Sequence, residues 1–325
     1  MSKAWRSAVA LALALAGAQL LGPAGAQDYP TRSVKIIVPF GAGGPADNYA
    51  RVLAQHLQEA LKQPFVVEAR PGAGSFIGTS EVAKAAPDGY TLLMMSNTHT
   101  VNETLRPKRP FDLIHDFVGV APVNYSDLIM VVHPSVPAKN LKEFIALLKA
   151  KKGELNYASS GFGTPYHMAG ELFKALSGTD IVHVPHKASG DARSAVLGGH
   201  VQMMFDAVTT MAQNAREGNV RALGTSGKTR SNVTPDIPTI AEAGVPGYES
   251  TIWLGMMAPK DTPKAVVDKL NAEINKILSR PDVKATWAKQ GATPLIMSPA
   301  EFEAYLRADI AKWAKLITTA GIKIQ

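Results

Sequence analysis

Val34–Leu61, VKIIVPFGAGGPADNYARVLAQHLQEAL, runs from an apolar stretch through a glycine-rich turn into an amphipathic segment. Val34, Ile36, Ile37 and Val38 form a short, nearly continuous apolar run, the pattern of a strand covered on both faces in a parallel sheet. Pro39 ends it. Gly41, Gly43 and Gly44 leave the backbone free to take positive φ, Pro45 suits the first position of a helix, and Asp47 falls in its first turn. Ala46, Tyr49, Ala50, Leu53, Leu57 and Leu61 then share one helical face, while Arg51, Gln55, Gln58 and Lys62 are left for water. A turn of this kind aims unpaired N–H groups and the positive end of a helix dipole into the space above the strand end, where an anion is favoured. The stretch is not GxGxxG, because Pro45 and Ala46 follow the glycine pair, and not a Walker loop, because no Gly-Lys-Ser/Thr follows, so nucleotide binding loses support. Taken alone, the glycines are equally well explained by a tight strand-to-helix turn.

The unit recurs along the chain. Phe65–Glu68 reads as a strand, residues 70–75 (RPGAGS) as a glycine loop, and a helix follows from Ile77 to Ala85. Tyr90–Met95 is an apolar strand leading into what reads as a polar loop, Ser96–Thr100. Val118–Val123 and Leu128–Val132 read as two strands separated by polar Asn124–Asp127, where the first crossing between domains is placed. A helix capped by Asn140, with Glu143 completing a capping box, opens the second unit. Leu155–Ala158 feeds the loop Ser159–Thr164, and Pro165 starts the next helix; Ile181–Val184 leads through residues 185–190 (PHKASG) into another. Val201–Phe205 is a strand ending at Asp206, and Val220–Thr225 another. Proline-rich turns follow, then a strand at Ile252–Ala258 and three helices, the last capped by Ser298 and Glu301 with Phe302, Leu306, Trp313 and Ile317 facing inward.

Lys3 and Arg6 precede an apolar run, Ala8–Leu21, and the small triplet Ala24-Gly25-Ala26, the layout of a secretory signal peptide cleaved after Ala26. The run is shorter than the ~20 residues a membrane span needs. The 325-residue chain is long enough for two domains. It contains no cysteine, which excludes disulfides, thiolate metal sites and cysteine nucleophiles. The net charge of +7 is spread along helix faces rather than blocked, and no nucleic-acid motif accompanies it, so a solvated basic surface explains it better than a nucleic-acid partner.

Four glycine or serine loops, each between a strand end and a helix start, exceed what a fold needs for its turns. In open α/β sheets ligands bind at that edge, and two lobes folded together would gather all four loops around one anion-binding cleft. A hydrolase drawn from Ser160, His167 and Asp206 lacks the G-x-S-x-G elbow and any supporting spacing. His183 and His186 lack HExxH and a carboxylate partner, so polar packing or a ligand hydrogen bond is preferred over zinc, and no metal or cofactor is expected. Asp206 reads either as a helix cap or as the receiver of a ligand hydroxyl or ammonium. Phe40, Phe76, Phe162, Tyr166 and Trp253 are placed either in the cleft or in the core.

Several long motifs in order, VPFGAGGPAD near residue 40, RPGAGSFIG near 74, YASSGFGTPYHMAGELF near 165, VPHKASGDARSAVLGGHVQMMFD ending at Asp206 and PDIPTIAEAG ending at Gly244, resemble the extracytoplasmic solute-binding proteins of the tripartite tricarboxylate transporter system, the Bug family. The resemblance implies a type II periplasmic binding protein. Its two α/β lobes are each a mostly parallel sheet flanked by helices, joined by two interdomain crossings. Residues 27–125 plus 250–325 would form one lobe and 126–249 the other. It also implies a non-catalytic, monomeric periplasmic protein that closes over a small carboxylate, held largely by loop amides, and delivers it to integral membrane transporter subunits. Carried onto this chain, the site is Phe40, Gly41, Ala42, Gly43, Gly44, Asp47, Gly74, Ser75, Phe76, Gly78 and Thr98 from one lobe. From the other come Ser160, Gly161, Phe162, Gly163, Thr164, His167, Lys187 and Asp206. The chain departs from the family pattern at His186-Lys187-Ala188, where tyrosine-lysine-glycine is usual, at Phe76, where a small or polar residue is usual, and at Asn102-Glu103, where asparagine-proline is usual. Phe76 with Phe40 and Phe162 favours an aromatic acid; His186 with Asp206 suits a hydroxyl or a second carboxylate equally. A secreted serine hydrolase and a sensor signalling to a membrane kinase are the competing functional classes.

Overall fold

The computed structural model describes residues 29–323; the signal peptide and its cleavage site lie outside them. Strands β1 (Val34–Val38), β2 (Phe65–Ala69) and β3 (Thr91–Ser96) alternate with helices α1 (Pro45–Leu61), α2 (Phe76–Ala83) and α3 (Asn97–Leu105). Next come β4 (Phe117–Val132), α4 (Leu141–Ala150), β5 (Asn156–Ser159), α5 (Pro165–Ser177), β6 (Val182–Pro185), α6 (Ser189–Leu197), β7 (Met203–Ala207), α7 (Val208–Arg216) and β8 (Arg221–Thr225). The chain closes through β9 (Thr251–Pro259), α8 (Lys264–Ser279), α9 (Pro281–Lys289), β10 (Ala292–Pro294) and α10 (Pro299–Ala320). The strands lie in the order β2-β1-β3-β9-β4-β7-β5-β6, with β8 and β10 both pairing β4. β2, β1 and β3 are mutually parallel, as are β6, β5 and β7, whereas β9 runs antiparallel to both β3 and β4.

β1 shows why its apolar run is nearly continuous. Val34, Ile36 and Val38 face a core filled by α1, α8 and α9, including Leu53, Leu57, Leu270, Ile274 and Trp287, while Ile37 faces the opposite side with Val82, Phe111, Trp253 and Phe302. Each such fully buried aliphatic side chain contributes roughly 1.5 to 3 kcal/mol. The second half repeats the arrangement around Met130, Phe144, Phe173 and Phe205 on one side and Val131, Val196, Met204 and Met211 on the other. Two lobes, each with helices on both faces of a largely parallel sheet, result.

β4 belongs to both. Val120, Ala121 and Val123 sit in the first core and Leu128, Met130 and Val132 in the second. The sequence reads as two strands here, but the polar stretch Asn124–Asp127 does not break the strand. Asn124, Tyr125 and Ser126 pair with β10, and Asn124–Asp127 with β9, so their backbone groups stay in ladders. Register shifts at Gly119/Ala121 and Pro122/Asn124 bend the strand within the first lobe, just before it passes to the second. Ser96–Thr100 differs from its reading as well: Ser96 is the N-cap of α3, accepting from the Thr98 N–H at 3.2 Å while His99 reaches back to the Ser96 N–H. Asn140 caps α4, but Glu143 turns to the Lys139 N–H and the Asn140 side chain instead of closing a capping box. Among the described residues no helix is long and apolar enough to cross a membrane.

Candidate functional site

The loop after β1 ends in α1, whose N-cap Gly44 leaves the first turn without a side-chain cap, with Pro45 at the first position. Gly43 takes φ +74° and its N–H donates to Asp47 Oδ2 at 3.0 Å; the same carboxylate binds Arg51 at 2.9 Å. Asp47 thus shapes the loop from behind. Among the hydrogen bonds of the described residues, the N–H groups of Gly41, Ala42 and Gly44 meet no acceptor within the chain. The loop after β2 is bent more sharply: Gly72, Ala73, Gly74 and Ser75 all have positive φ, at 130°, 49°, 65° and 85°. Ala73 and Ser75 hold conformations that non-glycine residues avoid, a strain concentrated where α2 begins. Ser75 Oγ is buried with no partner.

From the second lobe, the loop after β5 is tied by its own side chains. Gly161 N–H donates to Ser159 Oγ at 3.1 Å, Gly163 N–H to His167 Nδ1 at 3.1 Å, and Thr164 Oγ1 to Gly161 O at 2.8 Å. The N–H groups of Ser160 and Phe162 remain without an acceptor in the chain. His167 lies tilted by 35° against His183 at 4.3 Å, His183 stacks on Tyr157, and the Phe162 ring meets both imidazoles edge-on. Burial, followed by the charges of Lys174 and Arg106, holds His167 down to about 4; burial and then His167 hold His183 down to about 3. Both rings are therefore neutral, matching the acceptor role of His167 Nδ1.

These loops close over one cavity of about 620 Å³. A Cβ placed on Gly41 would stand 2.8 Å from Ala188 Cβ, one on Gly44 3.3 Å from Ser189 Oγ, and one on Gly74 3.4 Å from Phe162 O, so the lobes touch across the rim. Of the residues singled out in the sequence, Phe40, Gly41, Gly44, Gly74, Ser75, Thr98, Ser160, Gly161, Phe162, Thr164 and Lys187 line this cavity, together with Tyr166. Ala42, Gly43, Asp47, Phe76, Gly78, Gly163, His167 and Asp206 do not. Gly78 is a packing glycine, its Cβ position 2.8 Å from Arg70 O. The Phe76 ring rests edge-on against Phe111 and lies 5.3 Å below the Arg106 guanidinium. Asp206 is fully buried, receiving Arg193 Nε at 2.8 Å and its neighbour's Ala207 N–H at 2.8 Å. Trp253 is core.

The drawn triad does not assemble: His167 Nδ1 is occupied by Gly163 and Asp206 by Arg193. A different serine, Ser159, contacts His183 Nε2 at 2.6 Å, but it is fully buried and His183 Nδ1 has no hydrogen-bond partner, so no acid orients the ring. Sequence reading missed Arg106. It follows α3, lines the cavity, and with Lys187 supplies the only Lys, Arg, Asp or Glu side chains on the wall among the described residues. No group of three or more metal-ligating side chains stands together among those residues.

Fold and cavity define a two-lobed solute-binding receptor. More narrowly, the chain belongs to the tripartite tricarboxylate transporter family receptor group, whose family model matches residues 49–322; it is a receptor and not an enzyme. Protein BugT of Bordetella pertussis is 38% identical over 313 residues, 96% of each chain. The R. palustris protein Rpa4515 with adipate superposes with a TM-score of 0.88 at 33% identity, covering 91% of this chain and 99% of that one. The periplasmic binding protein BugD gives 0.86 at 33% identity, covering 91% and 100%.

Proposed function

We propose that the chain is a monomeric periplasmic receptor that captures a small organic carboxylate between its lobes and passes it to the membrane subunits of a tripartite tricarboxylate-type transporter. One observation carries the reading: the N-termini of α1 and α5 open onto a cavity whose charged wall residues are Arg106 and Lys187, with no acid among them. Helix ends, unpaired amides and fixed cations each favour a bound anion. In this reading the N–H groups of Gly41, Gly44, Ser160 and Phe162 are the donors, and Asp47, Gly43, Gly163 and His167 hold their loops in shape. Asp206 supports the wall through Arg193 rather than touching the ligand. Residues 27–125 with 250–325 form one lobe and 126–249 the other, after export and cleavage following Ala26. Rpa4515 with adipate supports a carboxylate ligand. Thermal-shift screening of the mature protein against mono-, di- and tricarboxylic, aromatic and amino acids tests it. A ligand at 100 times its Kd should add about 2.7 kcal/mol of stability. Silence across all acids, or turnover of an ester panel abolished by Ser160→Ala, would sink the proposal.

A further inference from the structure

A second cavity, of about 460 Å³, opens on the second lobe between the turn after β4 and the turn at residues 233–237, against α7 and β8. Arg221 stands opposite Val132 in the ladder, and Val132 opposite Met203, the first residue of β7. The cleft loops instead leave the far ends of β5 and β6, which run parallel to β7, so the two cavities lie at opposite ends of one sheet. Ala215, Ala222, Val233 and Ile237 pack on the core around Val131, Met204 and Met211 without being fully covered, and all four line this second cavity. Among the described residues only three arginines, Arg106, Arg216 and Arg221, form no salt bridge, and two of them, Arg216 and Arg221, stand on this wall. Neither is loose. Arg216 Nη2 donates to Val233 O at 2.6 Å, and Arg221 Nη1 to Val136 O and Ala138 O at 3.1 and 2.9 Å, so one guanidinium is fixed to each turn that frames the cavity.

We infer that this cavity is a second ligand site, separate from the cleft, for a small organic monoanion with a compact apolar body. A guanidinium carries five N–H donors, and the backbone carbonyls use only part of each set. The rest can be reached: Arg216 is exposed, and Nε and Nη2 of Arg221 are not sealed from solvent. Planar donor forks already held in place match the oxygens of a carboxylate, sulfonate or phosphate ester and lose little freedom on binding one. The half-covered apolar floor gives the rest of such a ligand a surface to bury. Thr234, next to the carbonyl that holds Arg216, is buried on the same wall with its hydroxyl unpartnered. Asp236 also lines the cavity, exposed and paired with neither arginine, so a second anionic group on the ligand would be repelled. A third cavity shows the contrast: its charges are neutralised within the chain, Arg32 by Asp88 at 2.9 Å and Lys35 by Glu68 at 3.1 Å, and it calls for no outside charge. None of the residues invoked lines the cleft, so the inference stands apart from the carboxylate-receptor reading.

Benzenesulfonate has the required chemistry, benzyl alcohol lacks its charge, and sulfate lacks its apolar body. Amide NMR titrations of the labelled mature protein tell the two cavities apart, with Gly218, Ala222 and Thr234 reporting on this one and Gly41, Gly44 and Gly161 on the cleft. Benzenesulfonate should shift the first set saturably, with about tenfold higher affinity there than benzyl alcohol or sulfate. Arg216→Gln should weaken that binding about tenfold, and Arg216→Lys should restore part of it. Ala215→Leu, which fills the floor and leaves both guanidinia in place, should abolish it. Both positions lie at the surface end of α7, so the melting temperature and any shifts at the cleft residues should match the wild type in each variant. Shifts confined to the cleft, equal affinity for either control, or binding unchanged in Arg216→Gln or in Ala215→Leu overturns the inference.

Discussion

Gly41 and Gly43 look interchangeable in the sequence, yet the fold asks different things of them. Gly43 takes φ +74° with open space around its Cβ position, and its N–H is engaged by Asp47. Gly41 has a φ outside the left-handed region, but its Cβ position is 2.8 Å from Ala188 Cβ on the facing lobe. Gly43→Ala should therefore cost about 1 kcal/mol of stability, from left-handed strain, and leave binding nearly intact. Gly41→Val should keep the ligand-free melting temperature and abolish binding, because the branched side chain meets Ala188 before the lobes can close. Calorimetry and melting of the two variants separate the cases; loss of binding in Gly43→Ala with retention in Gly41→Val would reverse the assignment. The residue scale also corrects the case for an aromatic ligand. Phe76, one of its three supports, spends its ring on Arg106 and Phe111 rather than on the cavity, whereas Phe40 and Phe162 do line it.

At the scale of elements, the strand-turn-helix units were legible because apolar periodicity, glycine turns and proline at the first helical position agree with each other. α3 was not. All of Asn97–Asn102 is buried, so the helix has no polar face for a 3.6-residue pattern to reveal, and its polar side chains bond to distant elements instead, Asn97 Nδ2 donating to Thr251 O, Thr100 Oγ1 to Asp309 Oδ2 and Asn102 Nδ2 to Gly74 O. Arg106 stayed hidden for a related reason: it begins the run RPKRP at residues 106–110, and only folding decides that Arg109 takes both acids. The cap of α3 makes a pH prediction. His99 accepts the Ser96 N–H at Nδ1, which leaves Nε2–H to donate to Thr79 Oγ1 at 2.8 Å, a neutral tautomer, and burial holds the ring down to about 4. Since the folded value lies below the unfolded one near 6.5, the unfolded state takes up the proton first. Stability from His99 is complete above about pH 6.5 and falls by on the order of 3 kcal/mol by pH 4. His167 and His183, lowered likewise, steepen the fall. Urea melts at pH 7.5, 6 and 4.5 should show it, with a shallower decline in His99→Gln; an identical slope in that variant would exclude His99 as a source.

The whole molecule is joined in three places. β4 passes between the lobes at Asn124–Asp127, the chain returns through Ser250 into β9, and α10 lays Trp313 and Ile317 against Val101 and Leu105 of α3 and Met168 of α5. The two crossings are stitched by Ser226, whose Oγ accepts the Leu128 N–H at 2.8 Å and donates to Ser250 O. Asp127 lies in the same place, opposite Thr251 in the ladder and close enough to Gly227 that a Cβ there would stand 2.5 Å from Oδ1. It has no cationic partner within the described residues, and burial, then the charge of Glu249, raises it to about 6. Here the folded value lies above the unfolded one, near 3.9, so the folded state holds the proton more tightly. The resulting stability is complete below about pH 4 and lost as pH rises through 6, leaving an uncompensated carboxylate between the crossings at neutral pH. Asp127→Asn keeps the shape and removes the charge. It should add about 1 to 2 kcal/mol at pH 7.5, allowing for partial exposure, which is a rise of several degrees in Tm, and add nothing at pH 4. Equal gains at both pH values would mean that the asparagine acts through packing, and no gain at pH 7.5 would mean that solvent already satisfies the charge at this junction.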